Sequence, residues 1–512
     1  MFCPNCGAKL EDGAVFCQNC GVKIEESAAP ESNTVSQGEE KAQTPAEEKK
    51  ATNKNVKGII GIVAAIVVVI LVVKLLAAVF AGKPDNLITV YDSEKEETAV
   101  YLNQKLIGTV DGEADVITNM DKSAFYLMSC PEDESTYTVY YVKGSKLVEV
   151  ADKCEEVVVA NHAKTALLID EDSALSMYNG SKLTEIEDED VLSAAISGDG
   201  KYYAYNTYED NAYIGNKPGK ETKVKDVSIY YISENGKYMY GRDDEGKLVC
   251  VNKKGEKDKI GPSSASILGL NNDGTELLFT DDGKTYISVK GKEKKKICSD
   301  ELDGIIQKMS DESYVNGFYP ADSFKKAVAY RYNDDGECTI YNLAGNYEAE
   351  KILKNLGMIC NVNEDATALI YLEDGDLCYT KIKKNAKSKE LAEDVRNAWT
   401  SDDCKTTYFY NDDDELYRIK GTGKAKLVND DIELSSAGVV IDDVLYVLDS
   451  DYEDWYYIKN KKSEVLDVED ISYDVITDNV YAYSDDAVYQ VNGKKLKELK
   501  GDFDEIGYIS VN

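Results

Sequence analysis

The chain has 512 residues, and its 95 aspartate and glutamate residues outnumber its 59 lysine and arginine residues, which gives a formal net charge of −36. Almost all of this charge lies in residues 83–512, so this large domain is not expected to bind nucleic acid, which needs a basic surface, and it is predicted to repel anionic lipid headgroups. Cations, cationic polymers and neutral ligands are the partners it favours, although solubility alone also explains an acidic surface. The length is too great for one ordinary domain.

Composition also argues against chemistry that depends on histidine. The chain has one histidine, His162, so it cannot form a histidine-rich metal centre. A supported Ser-His-Asp triad is not expected either. The residue stands in the short segment 160–164, for which we expect a turn.

Residues 2–24 contain two matched pairs of cysteines. Cys3, Cys6, Cys17 and Cys20 follow the spacing C-x2-C-x10-C-x2-C. Two residues between cysteines let both thiolates of one turn reach the same metal ion, and two such turns give a closed tetrahedral site suited to Zn2+. The pattern predicts one structural zinc ion with no open position for a catalytic water. A redox or disulfide pair is the alternative.

The two halves read FCPNCG and FCQNCG. They resemble the short bacterial zinc-ribbon family, whose pattern is FCxxCG repeated twice. The resemblance implies a ribbon over residues 1–24 with a structural metal. Because so small a domain cannot bury a sufficient core, zinc binding would supply its folding free energy.

The next two segments are predicted to be a tether and a membrane span. Residues 25–57 are polar and without periodicity, which is typical of a disordered linker. Residues 58–82 are apolar apart from Lys74. The stretch from Ile59 to Ala81 would span about 34 Å as a helix, enough for a hydrocarbon core of about 30 Å. A cleaved signal peptide is the alternative, but the segment is long and follows the ribbon.

The charges that flank the apolar segment predict its orientation. Lys49, Lys50, Lys54 and Lys57 precede it, and acidic residues follow it. The positive-inside rule therefore predicts a single-pass protein of the cell membrane, with a cytoplasmic N-terminus and an extracytoplasmic C-terminal domain. Zinc thiolates are also safer in a reducing compartment.

Residues 83–512 contain a repeat of about 36–42 residues. Its clearest copies begin at Ile196 (ISGDGKYYAY) and Ile232 (ISENGKYMY), and others start near Asn119, Asn161, Asn271, Asp322, Asn363, Ser401, Val440 and Thr477. Each copy has a strand, a tight polar turn, a tyrosine-rich strand and two further short strands, which is typical of a propeller blade. The length predicts ten or eleven blades, as one large ring or two joined propellers. Residues 302–327 fit the repeat worst.

This repeat pattern resembles that of the bacterial propellers built from S-x-D-G-K-x-Y-x-Y repeats, such as the TolB-like and dipeptidyl-peptidase N-terminal-like groups. The resemblance implies an all-β propeller over the large domain. The two ends support ring closure, because residues 506–512 look like the first strand of a repeat and residues 88–108 like its other three. We therefore expect one blade to be shared by both ends.

Three other features have alternative interpretations. The eight cysteines of the large domain are expected to be buried thiols, with disulfides as the alternative. The 37 tyrosines are expected to serve the scaffold, with aromatic platforms for sugars or polymers as the alternative. The acidic runs 412–415 and 449–454 are expected to be turns, although carboxylates could also hold Ca2+.

The sequence shows no catalytic constellation. We expect a membrane-anchored binding or sensing protein whose propeller engages an envelope or extracellular ligand and whose ribbon contacts a cytoplasmic protein. The alternatives are an extracytoplasmic carbohydrate-active enzyme that uses propeller carboxylates and a scaffold for envelope assembly. Carboxylates that converge in a deep pocket would favour the enzyme, and a shallow aromatic surface would favour binding.

Overall fold

The computed structural model describes residues 85–511, apart from residues 133, 307–322, 346, 364–365 and 475–478. Its regular elements in these residues are β-strands, and no helix among them is long and apolar enough to cross a bilayer. The predicted ribbon 1–24, the linker 25–57 and the apolar segment 58–82 lie outside the described residues.

The strands of this part of the chain form ten sheets, nine with four strands and one with seven. The sheet that contains both ends of the domain has β1 (Leu87–Asp92), β2 (Glu97–Leu102), β3 (Lys105–Asp111) and β43 (Ile506–Val511). The seven-stranded sheet has β4 (Glu113–Thr118), β5 (Phe125–Cys130), β6 (Tyr137–Val142), β7 (Leu147–Val159), β8 (Ala166–Asp170), β9 (Leu175–Tyr178) and β10 (Leu183–Glu187).

The next four sheets follow one another along the chain. The first two contain β11 (Val191–Ile196), β12 (Tyr203–Thr207), β13 (Asn211–Gly215), β14 (Thr222–Lys225), then β15 (Val227–Ile232), β16 (Met239–Asp243), β17 (Leu248–Val251), β18 (Lys257–Lys259). The other two contain β19 (Ser266–Leu270), β20 (Glu276–Asp281), β21 (Lys284–Val289), β22 (Lys295–Cys298), then β23 (Gly304–Ile306), β24 (Lys326–Tyr332), β25 (Cys338–Ala344), β26 (Glu348–Leu356).

The last four sheets repeat the same order of strands. The first two contain β27 (Met358–Val362), β28 (Ala368–Glu373), β29 (Asp376–Lys381), β30 (Lys389–Ala392), then β31 (Val395–Thr400), β32 (Thr406–Asn411), β33 (Leu416–Lys420), β34 (Lys426–Asn429). The other two contain β35 (Leu434–Ile441), β36 (Val444–Asp449), β37 (Trp455–Lys459), β38 (Lys462–Leu466), then β39 (Asp470–Asp474), β40 (Asn479–Ser484), β41 (Ala487–Asn492), β42 (Lys495–Glu498).

The seven-stranded sheet is two blades that share the long strand β7. Its first half pairs with β6 and its second half with β8, and Cys154 lies in both ladders. The strand bends between the two ladders, where Lys153 has a φ of 53°. Counted this way, the described chain has eleven blades of four strands, here numbered 1 to 11 with strands A to D. This confirms the predicted blade and agrees with the predicted number.

Blade 1 is shared by the two ends of the domain, as the sequence predicts. The C-terminal strand β43 is its strand A and pairs antiparallel with β1, from Ile88 opposite Val511 to Asp92 opposite Ile506. Strands β1, β2 and β3 supply strands B, C and D. The pairing leaves neither β1 nor β43 as a free edge on that side.

Apolar clusters join each blade to the next. Eleven such clusters occur in the described residues, and each contains side chains of two successive blades. One of them joins blade 11 to blade 1 through Tyr481, Ile88 and Ile506. Blades 6 and 7 are also packed together, through Leu278 and Phe324, so the poorly fitting segment 302–327 does not interrupt the series. The packing is that of one closed ring rather than two joined propellers.

Backbone hydrogen bonds define the two faces of the ring. The B–C turns bond to the D–A connections, as where Ser93 donates to Glu505 O and Asp412 to Asp394 O. The A–B turns bond to one another, as where His162 donates to Gly198 O. C–D turns lie beside these A–B turns, since Lys253 of one covers the Tyr202 ring of another. We call the two ends of the strands the B–C face and the A–B face.

Six A–B turns share one hydrogen-bond pattern that explains the repeat motif. The side-chain oxygen of the first residue accepts from the backbone N–H five residues later, and the fourth residue has a positive φ. The first residues are Asn119, Ser197, Ser233, Asn271, Asn363 and Ser401. Glycine suits the fourth position because it lacks a Cβ, and Gly200 has a φ of 68° there. Of the ten predicted repeat starts, those the structure describes lie at or beside A–B turns.

The tyrosines and cysteines are mostly scaffold residues. Tyr126, Tyr203, Tyr240 and Tyr408 lie on B strands and are fully buried between blades. All eight cysteines of the large domain are free thiols; six are buried, in agreement with the thiol interpretation, and Cys130 and Cys360 are half-buried. Burial raises the pKa of Cys250 to about 12. Such a thiol holds little thiolate near neutrality and is therefore unreactive.

Removal of β43 tests the closure of the ring. Deletion of residues 505–512 should lower the free energy of unfolding by at least about 3 kcal/mol, because it removes a ladder and the buried Ile506 side chain. Thermal unfolding of the variant would be compared with that of a protein lacking residues 25–40, whose midpoint should not change. Equal midpoints for the C-terminal deletion and the intact chain would contradict the shared blade.

Candidate binding site

Closure of blade 1 places two tyrosines beside several carboxylates. Tyr91 of β1 and Tyr508 of β43 stand opposite each other in the ladder, and their ring centroids are 5.6 Å apart. Both rings are half-buried, so part of each remains open to solvent. Strand β4 of blade 2 follows directly and carries Glu113 and Asp115 with exposed side chains.

The electrostatic environment of this pair is negative. Burial and the carboxylates of Glu113 and Asp115 raise the pKa of Tyr508 to about 12. Burial raises the pKa of Tyr91 as well, helped by Glu113 and by Glu132 in the B–C turn of blade 2. We call Tyr91, Tyr508, Glu113, Asp115 and Glu132 the tyrosine–carboxylate site. Aromatic faces next to carboxylates favour a cation with an apolar stem.

Other A strands also expose apolar side chains. Leu192, Tyr230, Met358 and Tyr473 lie on the A strands of blades 4, 5, 8 and 11 and are 38–52% exposed. The A strands of successive blades lie next to one another, so these side chains line the inside of the ring. Leu192 and Tyr230 belong to successive blades and would together add apolar contacts to a ligand held inside the ring. They make the inner surface more suitable for an amphipathic ligand than for a simple ion.

One inner carboxyl group has a raised pKa. Glu156 on β7 is exposed on the inside of the ring, yet the surrounding protein desolvates it enough to raise its pKa. Glycoside hydrolysis needs a second carboxyl group on the opposite side of the scissile bond. The A-strand carboxylates Glu113 and Asp115 belong to a half-exposed aromatic surface, which is the arrangement expected for binding.

His162 lies where the A–B turns of five blades meet, so the expectation of a turn residue is correct. Its Nδ1 is 3.0 Å from Asp121 Oδ1 in blade 2, and its Nε2 is 3.3 Å from Asn272 Oδ1 in blade 6. Glu234 Oε2 of blade 5 is 3.8 Å from Nε2. The backbone N–H of His162 donates to Gly198 O in blade 4. The imidazole therefore links turns that are far apart in the chain.

The contacts of His162 favour its charged form. Both hydrogen-bond partners are oxygen atoms that accept, so only an imidazolium can donate to the two of them together. Although partial burial opposes the charge, the hydrogen bond to Asp121 and the Glu234 carboxylate raise the pKa of His162 above its usual value. Burial raises the pKa of Glu234 too, and the charge on His162 partly offsets this.

The acidic runs do not form a metal site in the described part of the chain. Residues 412–415 form the B–C turn of blade 9, and residues 450–454 form that of blade 10. Arg396 pairs with Asp414 and approaches Asp412. No group of three or more histidine, cysteine, aspartate or glutamate side chains among the residues described is arranged to hold a metal ion. The predicted zinc ligands Cys3, Cys6, Cys17 and Cys20 lie outside these residues.

The tyrosine–carboxylate site could not be recognised from the motifs of the sequence. Tyr91 and Tyr508 belong to the first and last strands of the domain, and each looks like an ordinary strand residue. The one sequence feature that points to the site is the predicted pairing of the two ends in a shared blade, because this pairing places Tyr91 opposite Tyr508. The carboxylates of β4 follow a single residue after β3 and had no distinguishing pattern.

Comparison with known proteins gives one family assignment, for the N-terminus. Residues 2–24 match the zinc-ribbon domain family. No curated protein matches the chain. The more specific resemblance to TolB-like and dipeptidyl-peptidase N-terminal-like propellers stays a prediction.

Two solved structures are similar over most of the chain at low identity. The GH74 xyloglucanase from Xanthomonas campestris aligns over 83% of this chain and 87% of its own, with a TM-score of 0.30 and 11% identity. The tricorn protease aligns over 84% of this chain and 63% of its own, with a TM-score of 0.24 and 10% identity. The fold described above rests on strand pairing and packing and not on these similarities.

The pKa of His162 predicts how stability depends on pH. A histidine whose pKa is raised by folding stabilises the protein fully below pH 6.5, and this contribution is lost as the pH rises through the folded pKa. Glu234, with a raised pKa, acts in the same direction above pH 4.5. Denaturant midpoints should therefore fall between pH 6 and pH 8, and His162→Gln should flatten the profile. Because the chain has one histidine, an unchanged slope in the variant would contradict this assignment.

Proposed function

We propose that this protein is a membrane-anchored binding protein whose extracytoplasmic ring takes a cationic, partly apolar ligand, such as a lysine-rich peptide segment. The observation that carries the proposal is the tyrosine–carboxylate site, in which two half-buried tyrosines face exposed carboxylates across blades 1 and 2. The net charge of −36 supports it, because an acidic protein attracts cations over long distances.

The chemistry of the site accounts for both parts of such a ligand. An ammonium group gains from the tyrosine ring faces and from the nearby carboxylates, and each exposed charge pair contributes up to about 1 kcal/mol. The exposed A-strand side chains Leu192 and Tyr230 offer apolar contacts further round the inside of the ring. A neutral polysaccharide would use the aromatic rings but would gain little from the carboxylates.

The anchor and the ribbon complete the proposal. Residues 58–82 would hold the protein in the cell membrane, and Cys3, Cys6, Cys17 and Cys20 would hold one structural Zn2+ in the cytoplasm, where the ribbon contacts a protein partner. Four thiolates are a donor set that suits zinc and leaves no open position. Most thiols of the ring are buried and so resist oxidation, which means that these free cysteines do not exclude an extracytoplasmic location.

Ligand binding can be tested with a fluorescent tetralysine peptide and the full-length protein in detergent. Removing two carboxylates with Glu113→Gln and Asp115→Asn should weaken binding about tenfold, since each contributes up to about 1 kcal/mol. The matched control, Asp412→Asn with Asp413→Asn, removes the same charge from another blade and should have little effect. Equal losses in both variants would show that the attraction is diffuse and would contradict a local site.

The aromatic contribution has its own test in the same assay. Tyr508→Phe keeps a ring face and should keep most of the affinity, whereas Tyr508→Leu keeps the apolar volume without the ring and should weaken binding several-fold. Fluorescence anisotropy measures both. Similar affinities for the two variants would show that the aromatic ring of Tyr508 does not contribute to binding.

The zinc site is tested by metal analysis of the N-terminus. A fragment that contains residues 1–40 should carry one zinc by elemental analysis, and Cys6→Ser should release it and unfold the ribbon. A reduced sample without metal would contradict the zinc site.

Protease added to protoplasts should digest the large domain and spare the ribbon, because the lysines before residue 58 predict that orientation. Detection would use antibodies to each end of the chain, with lysed protoplasts as the control for protease access. A protected large domain would show the opposite orientation.

A further inference from the structure

The connections of the B–C face are strongly acidic. Every B–C turn, from blade 1 to blade 11, contains at least one carboxylate residue. One example from each, in blade order, is Glu94, Glu132, Glu171, Glu209, Asp244, Asp282, Asp334, Asp374, Asp412, Asp451 and Asp485. D–A connections such as 188–190 and 430–433 add more. Two lysines on this face, Lys95 and Lys247, are in ion pairs with carboxylates.

The C–D turns of the opposite face carry lysines instead. Nine of the eleven C–D turns contain at least one exposed lysine; blades 1 and 7 are the exceptions. Examples are Lys143, Lys182, Lys217, Lys253, Lys292, Lys384, Lys424, Lys461 and Lys494. The negative net charge of the domain is therefore concentrated at one end of its strands. The other end presents a broken circle of ammonium groups, of which Lys384 and Lys494 pair with glutamates, and its A–B turns also carry carboxylates such as Asp199 and Asp403.

The chain enters the domain on the face that carries these lysines. Asn86 receives a hydrogen bond from Tyr481, donates its backbone N–H to Asn103 in the C–D turn of blade 1, and directly precedes strand B. Asp85 lines a cavity of about 340 Å³ together with Lys143 of a C–D turn and Lys164 of an A–B turn. The first described residues are thus on the A–B face.

The length of chain before Asp85 limits how far this face can lie from a membrane. The proposed membrane segment ends at residue 82, and two residues intervene before Asp85. Consecutive Cα atoms are at most 3.8 Å apart, so this stretch spans about 11 Å at full extension. That distance is close to the Debye length of about 8 Å at physiological salt, within which exposed lysines still attract anionic headgroups.

We propose that the A–B face rests on an anionic phospholipid surface through its lysine-bearing C–D turns, and that the B–C face is turned away from it. The proposal rests on the membrane anchor in the proposed function. Attraction of the lysines and repulsion of the B–C carboxylates favour the same orientation. The net charge predicts that the domain as a whole repels anionic lipid, and the distribution of that charge reverses this for one face.

The orientation can be measured by energy transfer in full-length protein reconstituted into vesicles. A donor fluorophore would be placed either at Thr422, in a C–D turn, or at Tyr452, in a B–C turn that is 67% exposed. Thr422 is in blade 9 and Tyr452 in blade 10, so neither lies in blade 1, where the chain enters. Acceptors would be attached to the lipid headgroups. In phosphatidylglycerol vesicles, transfer from Thr422 should exceed transfer from Tyr452 at least about twofold, because the strands separate the two faces by about 20 Å.

Salt, lipid and matched variants separate charge from simple tethering. The difference between the two positions should shrink in phosphatidylcholine vesicles and in 1 M salt. Lys383→Gln with Lys387→Gln, both exposed in the C–D turn of blade 8, should reduce it more than Asp412→Asn with Asp413→Asn, because the carboxylates of the B–C face lie further from the lipid than the Debye length.

Failure of the inference is distinguishable from failure of the anchor. Protein that stays with the vesicles after an alkaline wash but shows equal transfer from both positions, or a difference that salt does not change, would overturn the inference alone. Protein that the wash removes from vesicles would overturn the anchor, and the orientation with it. A difference between the two positions that is as large in phosphatidylcholine as in phosphatidylglycerol vesicles, together with binding of soluble polyphosphate by the protein in detergent, would show an anionic polymer rather than lipid as the partner of the lysines and would also overturn it.

Discussion

Every blade of this ring is a small sheet with two apolar faces, and both faces need a neighbour. A four-stranded sheet with both faces exposed would not be stable in water. The eleven apolar clusters satisfy this requirement throughout the described ring only because blade 11 packs on blade 1. That contact depends on the ladder between β1 and β43, so the last interface of the ring forms only when the two ends of the domain pair.

The same requirement explains the excess of tyrosine over phenylalanine. A B strand is buried on both faces, but its ends reach the turns, where backbone carbonyl groups need donors. Tyr126 and Tyr408 fill the space between blades with their rings and donate their hydroxyl groups to Lys164 O and Asp443 O of the next blade. Tyrosine thus joins neighbouring blades by packing and by a hydrogen bond, which phenylalanine cannot do.

Much of this architecture could be predicted because the repeat is local. The A–B turn places an acceptor, a third-position carboxylate or amide and a residue of positive φ within six residues, so one copy such as 197–202 is enough to recognise it. The shared strand β7 was not predicted, because the chain around Lys153 has no turn signal and simply bends. The partners of His162 could not be predicted from the sequence for a different reason. Asn272 is 110 residues away in the chain, and only the folded ring brings it near. The tyrosine–carboxylate site likewise exists only after closure.

The shared blade also has a consequence for the synthesis of the protein. Strands β1 to β3 are the first of the ring to leave the ribosome. Their partner β43 follows about 400 residues later, which at about 5–20 residues per second is about 20–80 s. During that time β1 presents an unpaired edge that can capture strands of other chains. Blades 2 and 3, joined by the continuous strand β7, are complete much earlier. The nascent chain therefore has complete blades next to an unpaired edge on β1. The yield of folded protein depends on how well that edge is protected until β43 is synthesised.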